Sequence, residues 1–459
     1  LKWAAPAGAG ESPCQAAGLY DDWVSEPEAF PRRDQPQGLP GLHVGCVWRA
    51  ADGGLVLEAH RDALRAGDPA PAAMPPGSGA SWAAFRAGLQ EALRIEKRTN
   101  GWGHLHLKQV FGVFAAHGER LLSVDAALGA QLIFVIVGGQ WFWPPVREGF
   151  VRALPSLGMQ LETLSVQPVA YRVRGFLKPQ ECDEIVRLGA GRMESSPVSL
   201  MDKDKGKAAK EFRTSSQARI SQMESAMLWD IDTRVGNLTG LPKVHNEEIQ
   251  ILKYQKTQYY SSHLDNWDPS FYSDPSVIAP LDHGHFNRMI TVFWYLTTVD
   301  RGGETIFPRS NGLPQPSDMW SCEHGLKVQP VKGTVIFWYS LHPNGNTDPN
   351  GLHGACPVEE GEKWAANFWV WNKPRTGSVG DSFAEALAAK AGAGGERRPV
   401  FPQSATAAPG WAPYGVVASL VGLLVALAVF RGAPALLGGS GSKSGKAGRA
   451  DRKEAKKKR

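Results

Sequence analysis

Cysteine is scarce. Five residues, Cys14, Cys46, Cys182, Cys322 and Cys356, serve a chain of 459. No two are spaced as CxxC, which argues against a zinc ribbon. The odd count excludes complete intrachain pairing and leaves one or two disulfides open in an oxidising compartment. No basic stripe interleaved with aromatics runs along the chain, so nucleic acid is not an expected partner. No regular internal repeat is present, which argues against a solenoid. Charge of one sign is weak too. The formal net charge is +5, much of it in the C-terminal tail. Leu1 rather than Met opens the sequence, so a preceding signal peptide stays open.

Turn formers and large rings are abundant: 51 Gly, 33 Pro and 16 Trp. With 42% hydrophobic and 21% charged residues, this composition fits a loop-rich, β-leaning globular body of two or three units. Residues 1–40 read as irregular. Residues 41–160 read as an α/β region of unreadable role. In it, 43–59 form two strands around Asp52-Gly53-Gly54, Ser81 caps a helix through Lys97, and 132–137 form a short buried strand. His104 and His106 would share one face of a strand over 104–114, where a solvated face outweighs a zinc site. From about 165 the texture changes to a strand over 169–176, a helix opened by Pro179, and strands over 248–254, 288–299, 326–339 and 363–371. Many strands with little helix between them predict a sandwich or barrel over 165–374. A Gly/Ala/Pro-rich stalk over 375–410 follows. Residues 411–431 supply the apolar length of a transmembrane helix, and 432–459 form a basic tail that the positive-inside rule puts in the cytosol.

His263 and Asp265 stand two apart in SSHLDNWD, His353 in GLHGACP, and Lys363 at the head of the last strand. A His-x-Asp triplet alone means little. Two histidines and one carboxylate on a rigid β framework, however, are the ligand set of non-haem Fe(II) oxygenases. Three protein ligands leave one face of an octahedron for a chelating co-substrate and O₂. A 2-oxo acid bound there needs a cation for its distal carboxylate, and Lys363 offers one. Each histidine also requires a partner on its other ring nitrogen.

The stretch 167–373 resembles the catalytic domain of the prolyl 4-hydroxylases. Its pieces come in family order: GFLKPQECDEI, FRTSS, IQILKYQKTQYYSSHLD, RMITVFWYL, GGETIFP, CEHGLKVQPVKGTVIFW and DPNGLHGACPVEEGEKWAANFWVW. The resemblance implies a mainly β (α+β) fold, a double-stranded β-helix (jelly-roll) with flanking helices. It also implies Fe(II), 2-oxoglutarate, O₂ and L-ascorbate, and hydroxylation of peptidyl proline with release of succinate and CO₂. By it, His263, Asp265 and His353 are the metal ligands and Lys363 pairs with the distal carboxylate of 2-oxoglutarate. Tyr254 and Thr305 hydrogen-bond that carboxylate, and Tyr260, Arg288 and Trp369 line the peptide groove. It matches Cys322 and Cys356 to family cysteines and so implies a disulfide between them.

Trp371 departs from the family, which usually carries a histidine there, and this leaves peptide specificity open. The same chemistry on another residue or a small molecule is one alternative. A membrane-tethered peptide-binding module without turnover is the other. The 266–287 insert reads as a flap over the substrate, its His283 and His285 solvated. The terminal KKKR resembles a dilysine retrieval signal, and Asn237-Leu238-Thr239 is a glycosylation acceptor pattern. Together they predict a single-pass protein of the endoplasmic reticulum membrane, catalytic domain lumenal, C-terminus cytosolic. Oligomeric state is not readable.

Overall fold

The computed structural model describes residues 12–30, 37–67, 71–95 and 111–375. His104, His106, the stalk, the apolar segment 411–431 and the basic tail lie outside them. Among the described residues, no helix is long and apolar enough to cross a membrane.

The body of the described residues from 151 on is built on a nine-stranded antiparallel sheet. Its strand order is Val151–Leu154, Met159–Ser165, Ala170–Arg174, Val335–Tyr339, Arg288–Tyr295, Lys363–Trp371, Ile249–Tyr254, Ser216–Ile220 and Glu194–Ser195. The central strands are apolar on both faces because both faces are covered. Period-two alternation assigns each side chain to one of two layers. Ile290, Val292, Trp294, Ala366, Phe368 and Val370 join the core beneath the helices Pro179–Ala190 and Ala226–Thr239. Phe293, Tyr295, Ala365, Ile336 and Trp338 face the other way. There a four-stranded sheet, ordered Tyr260–His263, His353–Ala355, Thr305–Phe307 and Leu326–Val328, completes the jelly roll. The sheet takes in the hairpin 151–165, so the boundary read near 160–165 falls inside a strand of the catalytic body.

The α/β region forms a five-stranded antiparallel sheet, ordered Ala72–Ala73, Leu55–His60, Leu42–Arg49, Leu132–Ile136 and Gly112–Phe114. The expected helix is Trp82–Ala92, capped by the Ser81 hydroxyl on the Ala84 N–H. It stops short of Lys97. One face of this sheet packs on its own helices through Phe85, Leu89, Ile133 and Val135. The other face merges with the catalytic core. Trp141, Phe142 and Trp143 are buried in a single cluster with Val44, Phe134, Tyr171, Leu238 and Tyr339. Phe142 stacks on Tyr339 at 3.6 Å, Trp143 Nε1 donates to the Leu238 carbonyl at 2.8 Å, and Tyr171 donates to the Trp143 carbonyl at 2.6 Å. A Cys14–Cys46 disulfide pins the first described helix to this sheet. Cys322–Cys356 is bonded as the resemblance implies, and Cys182 is a free, buried thiol.

Candidate active site

His263 ends one strand and His353 opens the next, and the two residues are register partners across an antiparallel pair. Strand pairing thus closes the sequence gap between them, and their rings stand 4.5 Å apart. The turn after His263 brings Asp265 back beneath both. Its Oδ1 lies 3.6 Å from His263 Nε2 and its Oδ2 3.5 Å from His353 Nε2. The three ligand atoms all lie within 4.8 Å of one another. These separations suit atoms sharing one ion at bond lengths of about 2 Å.

Each Nδ1 meets a backbone carbonyl two residues upstream at 2.9 Å, Ser261 for His263 and Gly351 for His353. A proton held there leaves both Nε2 lone pairs for a metal. Thr291 donates to Asp265 Oδ2 at 2.6 Å and fixes the carboxylate plane. Burial pushes His353 down to about 4, so it is the neutral ligand form. Burial works against ionising Asp265, but the two histidines and Arg288 outweigh it and keep the carboxyl well below its usual range. Tyr260 stacks on the His263 ring at 3.7 Å, and Trp338 meets His353 edge-on.

Lys363 is fully buried and is the register partner of Tyr254. Its Nζ donates to the Gly303 carbonyl at 2.6 Å and lies 5.2–5.6 Å from the ring centres of Tyr254, Phe293 and Tyr295. No carboxylate among the described residues pairs with it. Burial therefore pulls it down to about 7 despite Glu304. Thr305 is buried and accepts from Tyr295, whose ring lies by the Lys363 ammonium, at 2.7 Å. A buried ammonium with spare donors and no anion fits the distal carboxylate of a 2-oxo acid.

The profile of the 2OG-Fe(II) oxygenase superfamily matches residues 249–371. A probable prolyl 4-hydroxylase 6 of Arabidopsis thaliana is 38% identical over 216 residues, 46% of this chain and 72% of that protein. The chain belongs to the prolyl 4-hydroxylase family. A probable prolyl 4-hydroxylase 9 of the same plant is 34% identical over 56% of this chain and 88% of its own length. A viral collagen prolyl hydroxylase from Paramecium bursaria Chlorella virus-1, solved with 2OG, is 25% identical over 44% of this chain and 95% of that one, with a TM-score of 0.32. Fe(II) and 2-oxoglutarate, the family's metal and co-substrate, fit the triad and Lys363 respectively.

Arg288, expected at the peptide groove, is already engaged. It grips both oxygens of Glu247, Nε to Oε1 at 2.6 Å and Nη2 to Oε2 at 3.0 Å. Its guanidinium lies 3.6 Å from the centre of the Trp369 ring and 4.7 Å from that of Trp267. Trp371, in the place of the family histidine, donates to the same Glu247 Oε1 at 2.7 Å. Burial opposes the Glu247 charge, but Arg288 prevails and holds its carboxyl below the ordinary value. Glu247, Thr291 and Arg213, whose guanidinium covers Tyr260 at 4.5 Å, were not singled out from sequence. An acid just ahead of a strand, or a threonine within one, carries no local signal of what it will face. The 266–287 insert holds three short helical turns, Pro269–Phe271, Pro275–Ile278 and Ala279–Gly284.

Proposed function

We propose that this chain is a prolyl 4-hydroxylase. It couples the oxidative decarboxylation of 2-oxoglutarate, with O₂, to hydroxylation of a peptidyl proline at C4, giving succinate and CO₂. The observation that carries the reading is the conjunction of the His263–Asp265–His353 cluster with an unpaired, buried Lys363. Fe(II) held there would activate O₂, the oxidant that decarboxylation of 2-oxoglutarate and breaking of a C–H bond both draw on. The chain's own residues do the rest. His263, Asp265 and His353 present three ligand atoms, and Thr291 and two backbone carbonyls hold them in place. Lys363 with Tyr254 and Thr305 receives the distal carboxylate. Trp338, Phe307 and Phe293 wall the centre with apolar rings, which excludes water from a site that handles reactive oxygen. Tyr260, Arg288 and Trp369 face the peptide. L-ascorbate keeps the metal reduced between turnovers. The test is release of succinate by the full chain with and without a proline-rich peptide, read with the mass of the peptide. Succinate that does not rise with any peptide, or a product without an added oxygen, would sink this reading.

The proposal extends to place. The apolar run 411–431 with its basic tail supports a single-pass anchor with a cytosolic end, and two disulfides support a lumenal catalytic body. In that reading Lys456 and Lys457 return the protein to the endoplasmic reticulum. Lys456→Ser with Lys457→Ser would then let it travel onward with unchanged topology. A double mutant wholly retained in the reticulum would contradict this.

A further inference from the structure

We propose that Asn287 and Asn372 form a clasp that holds Asp265 in register with the two histidines, and that the N-terminal module reaches the metal site through it at Gln140. The inference rests on the Fe(II) reading above. Asp265 is the one ligand outside a strand. It lies in the turn that opens the 266–287 insert, which leaves the small sheet after His263 and returns to the large sheet at Arg288. Something must tie the two ends of that insert together, and Asn287 does so with every polar atom it has. Its Oδ1 accepts from the Trp267 N–H at 3.0 Å and the Arg288 N–H at 3.0 Å. Its Nδ2 donates to the Trp267 carbonyl at 2.6 Å. The side chain is fully buried, so none of these bonds is shared with water. Trp267 is two residues from the ligand, which leaves Asp265 little backbone freedom.

Asn372 closes the clasp from just beyond the end of the strand Lys363–Trp371. Its Oδ1 accepts from the Asn287 N–H at 3.0 Å, its N–H donates to the Asn287 carbonyl at 3.1 Å, and its Nδ2 donates to the His285 carbonyl at 2.9 Å. The pairing shifts register between Arg288 and Ile290, just inside the clasp. Such bulges re-aim the chain beside active sites. Rings cover the arrangement, with Phe286 at 4.3 Å and Trp267 at 5.8 Å from Trp371. The last link comes from outside the catalytic body. Gln140 Nε2 donates to the Asn372 carbonyl at 3.2 Å, and Gln140 sits in the same segment as the core residues Trp141 and Trp143. Among the described residues this chain of contacts, Gln140 to Asn372 to Asn287 to Trp267, ends beside a metal ligand. Asn287 and Asn372 are positioning residues, because neither offers an atom to the metal.

The test is Co(II) affinity of the full chain by absorption titration, alongside thermal melting and the KM for 2-oxoglutarate. Groups that orient metal ligands typically matter by 10- to 100-fold, and one bond further out the lower end is expected. Asn287→Ala should weaken Co(II) binding about tenfold, with Asn372→Ala and then Gln140→Ala following in smaller steps. The KM for 2-oxoglutarate should stay near wild type, because Lys363 stands at the far end of its strand from Trp371 and Asn372. A general loosening of the fold would instead move both quantities together. Unchanged Co(II) affinity in Asn287→Ala overturns the clasp. If that variant does not fold, unchanged affinity in a folded Asn372→Ala overturns it instead. A silent Gln140→Ala removes the N-terminal module from the proposal. Wild type that takes up no Co(II) overturns the metal reading, and the clasp's role with it.

Discussion

Lys363 permits a test in which pH is the perturbation. The ligand-free ammonium is fully buried, has no carboxylate partner among the described residues, and is pulled down to about 7 by desolvation. Only its protonated form carries the charge that the distal carboxylate of 2-oxoglutarate requires. The fraction able to bind falls as pH rises through about 7. From about pH 6 to about pH 8 that fraction drops roughly tenfold, so the KM for 2-oxoglutarate should rise about tenfold. At saturation the bound carboxylate restores the proton, so kcat should change much less. Lys363→Met removes a charge-assisted contact worth about 1.5–3 kcal/mol. Its KM should be roughly ten- to a hundredfold higher at low pH and flat with pH. Stability follows the opposite sign. The folded state releases this proton more easily than the unfolded chain, so ligand-free wild type should gain stability as pH rises above about 7. Lys363→Met should lose that slope and melt higher than wild type below pH ~7 when no 2-oxoglutarate is present. Initial rates at varied 2-oxoglutarate across the pH range, with melting curves, read all of this. A wild-type KM that is flat from acid to base would refute the reasoning.

His263→Ala, Asp265→Ala and His353→Ala should each abolish turnover and greatly weaken metal binding. Near-normal succinate release by any one of them would remove it from the ligand set. Trp371→His keeps a ring near Glu247 but changes the group that donates to it. The KM for peptide should shift severalfold while that for 2-oxoglutarate stays put, and a reversed pattern would place Trp371 on the co-substrate side. A fragment beginning at Val151 should not fold. It loses Trp141, Phe142 and Trp143, and each such ring buries about 150–250 Å². At about 25 cal/mol per Å² the three together are worth about 11–19 kcal/mol, as much as a whole domain's net stability of about 5–15 kcal/mol. A soluble fragment with a cooperative melt would contradict the shared core.

The His263–Asp265–His353 cluster was legible because its residue types are chemically restrictive and stand among many ordered motifs. The central strands were legible because runs such as VIFWY and KWAANFWVW are apolar on both faces. What escaped were contacts between distant segments. GGQWFWPPVR gives no hint that its rings will stack on Tyr339 rather than form a core of its own. Glu247 reads as an ordinary acid until Arg288, 41 residues later, closes on it. Cys14 and Cys46 had no reading that paired them. The hairpin over 151–165 carries no sequence signal of its sheet, because its outer strand, VRAL, buries Arg152 and exposes Val151. That pattern does not say which sheet the edge belongs to.

The strand Lys363–Trp371 also acts as a ruler. Its odd-numbered residues share one face, so Lys363 at one end and Trp369 and Trp371 at the other mark out the cleft in steps of two. At about 3.3 Å per residue, the six residues from Lys363 to Trp369 span roughly 20 Å along the strand. Deleting one residue between them would turn every later side chain on the strand towards the helices. Deleting two would keep each ring on its face and shorten the cleft by about 7 Å. The spacing between Lys363 and Trp369 on their shared face can therefore change only in paired steps or with a compensating bulge.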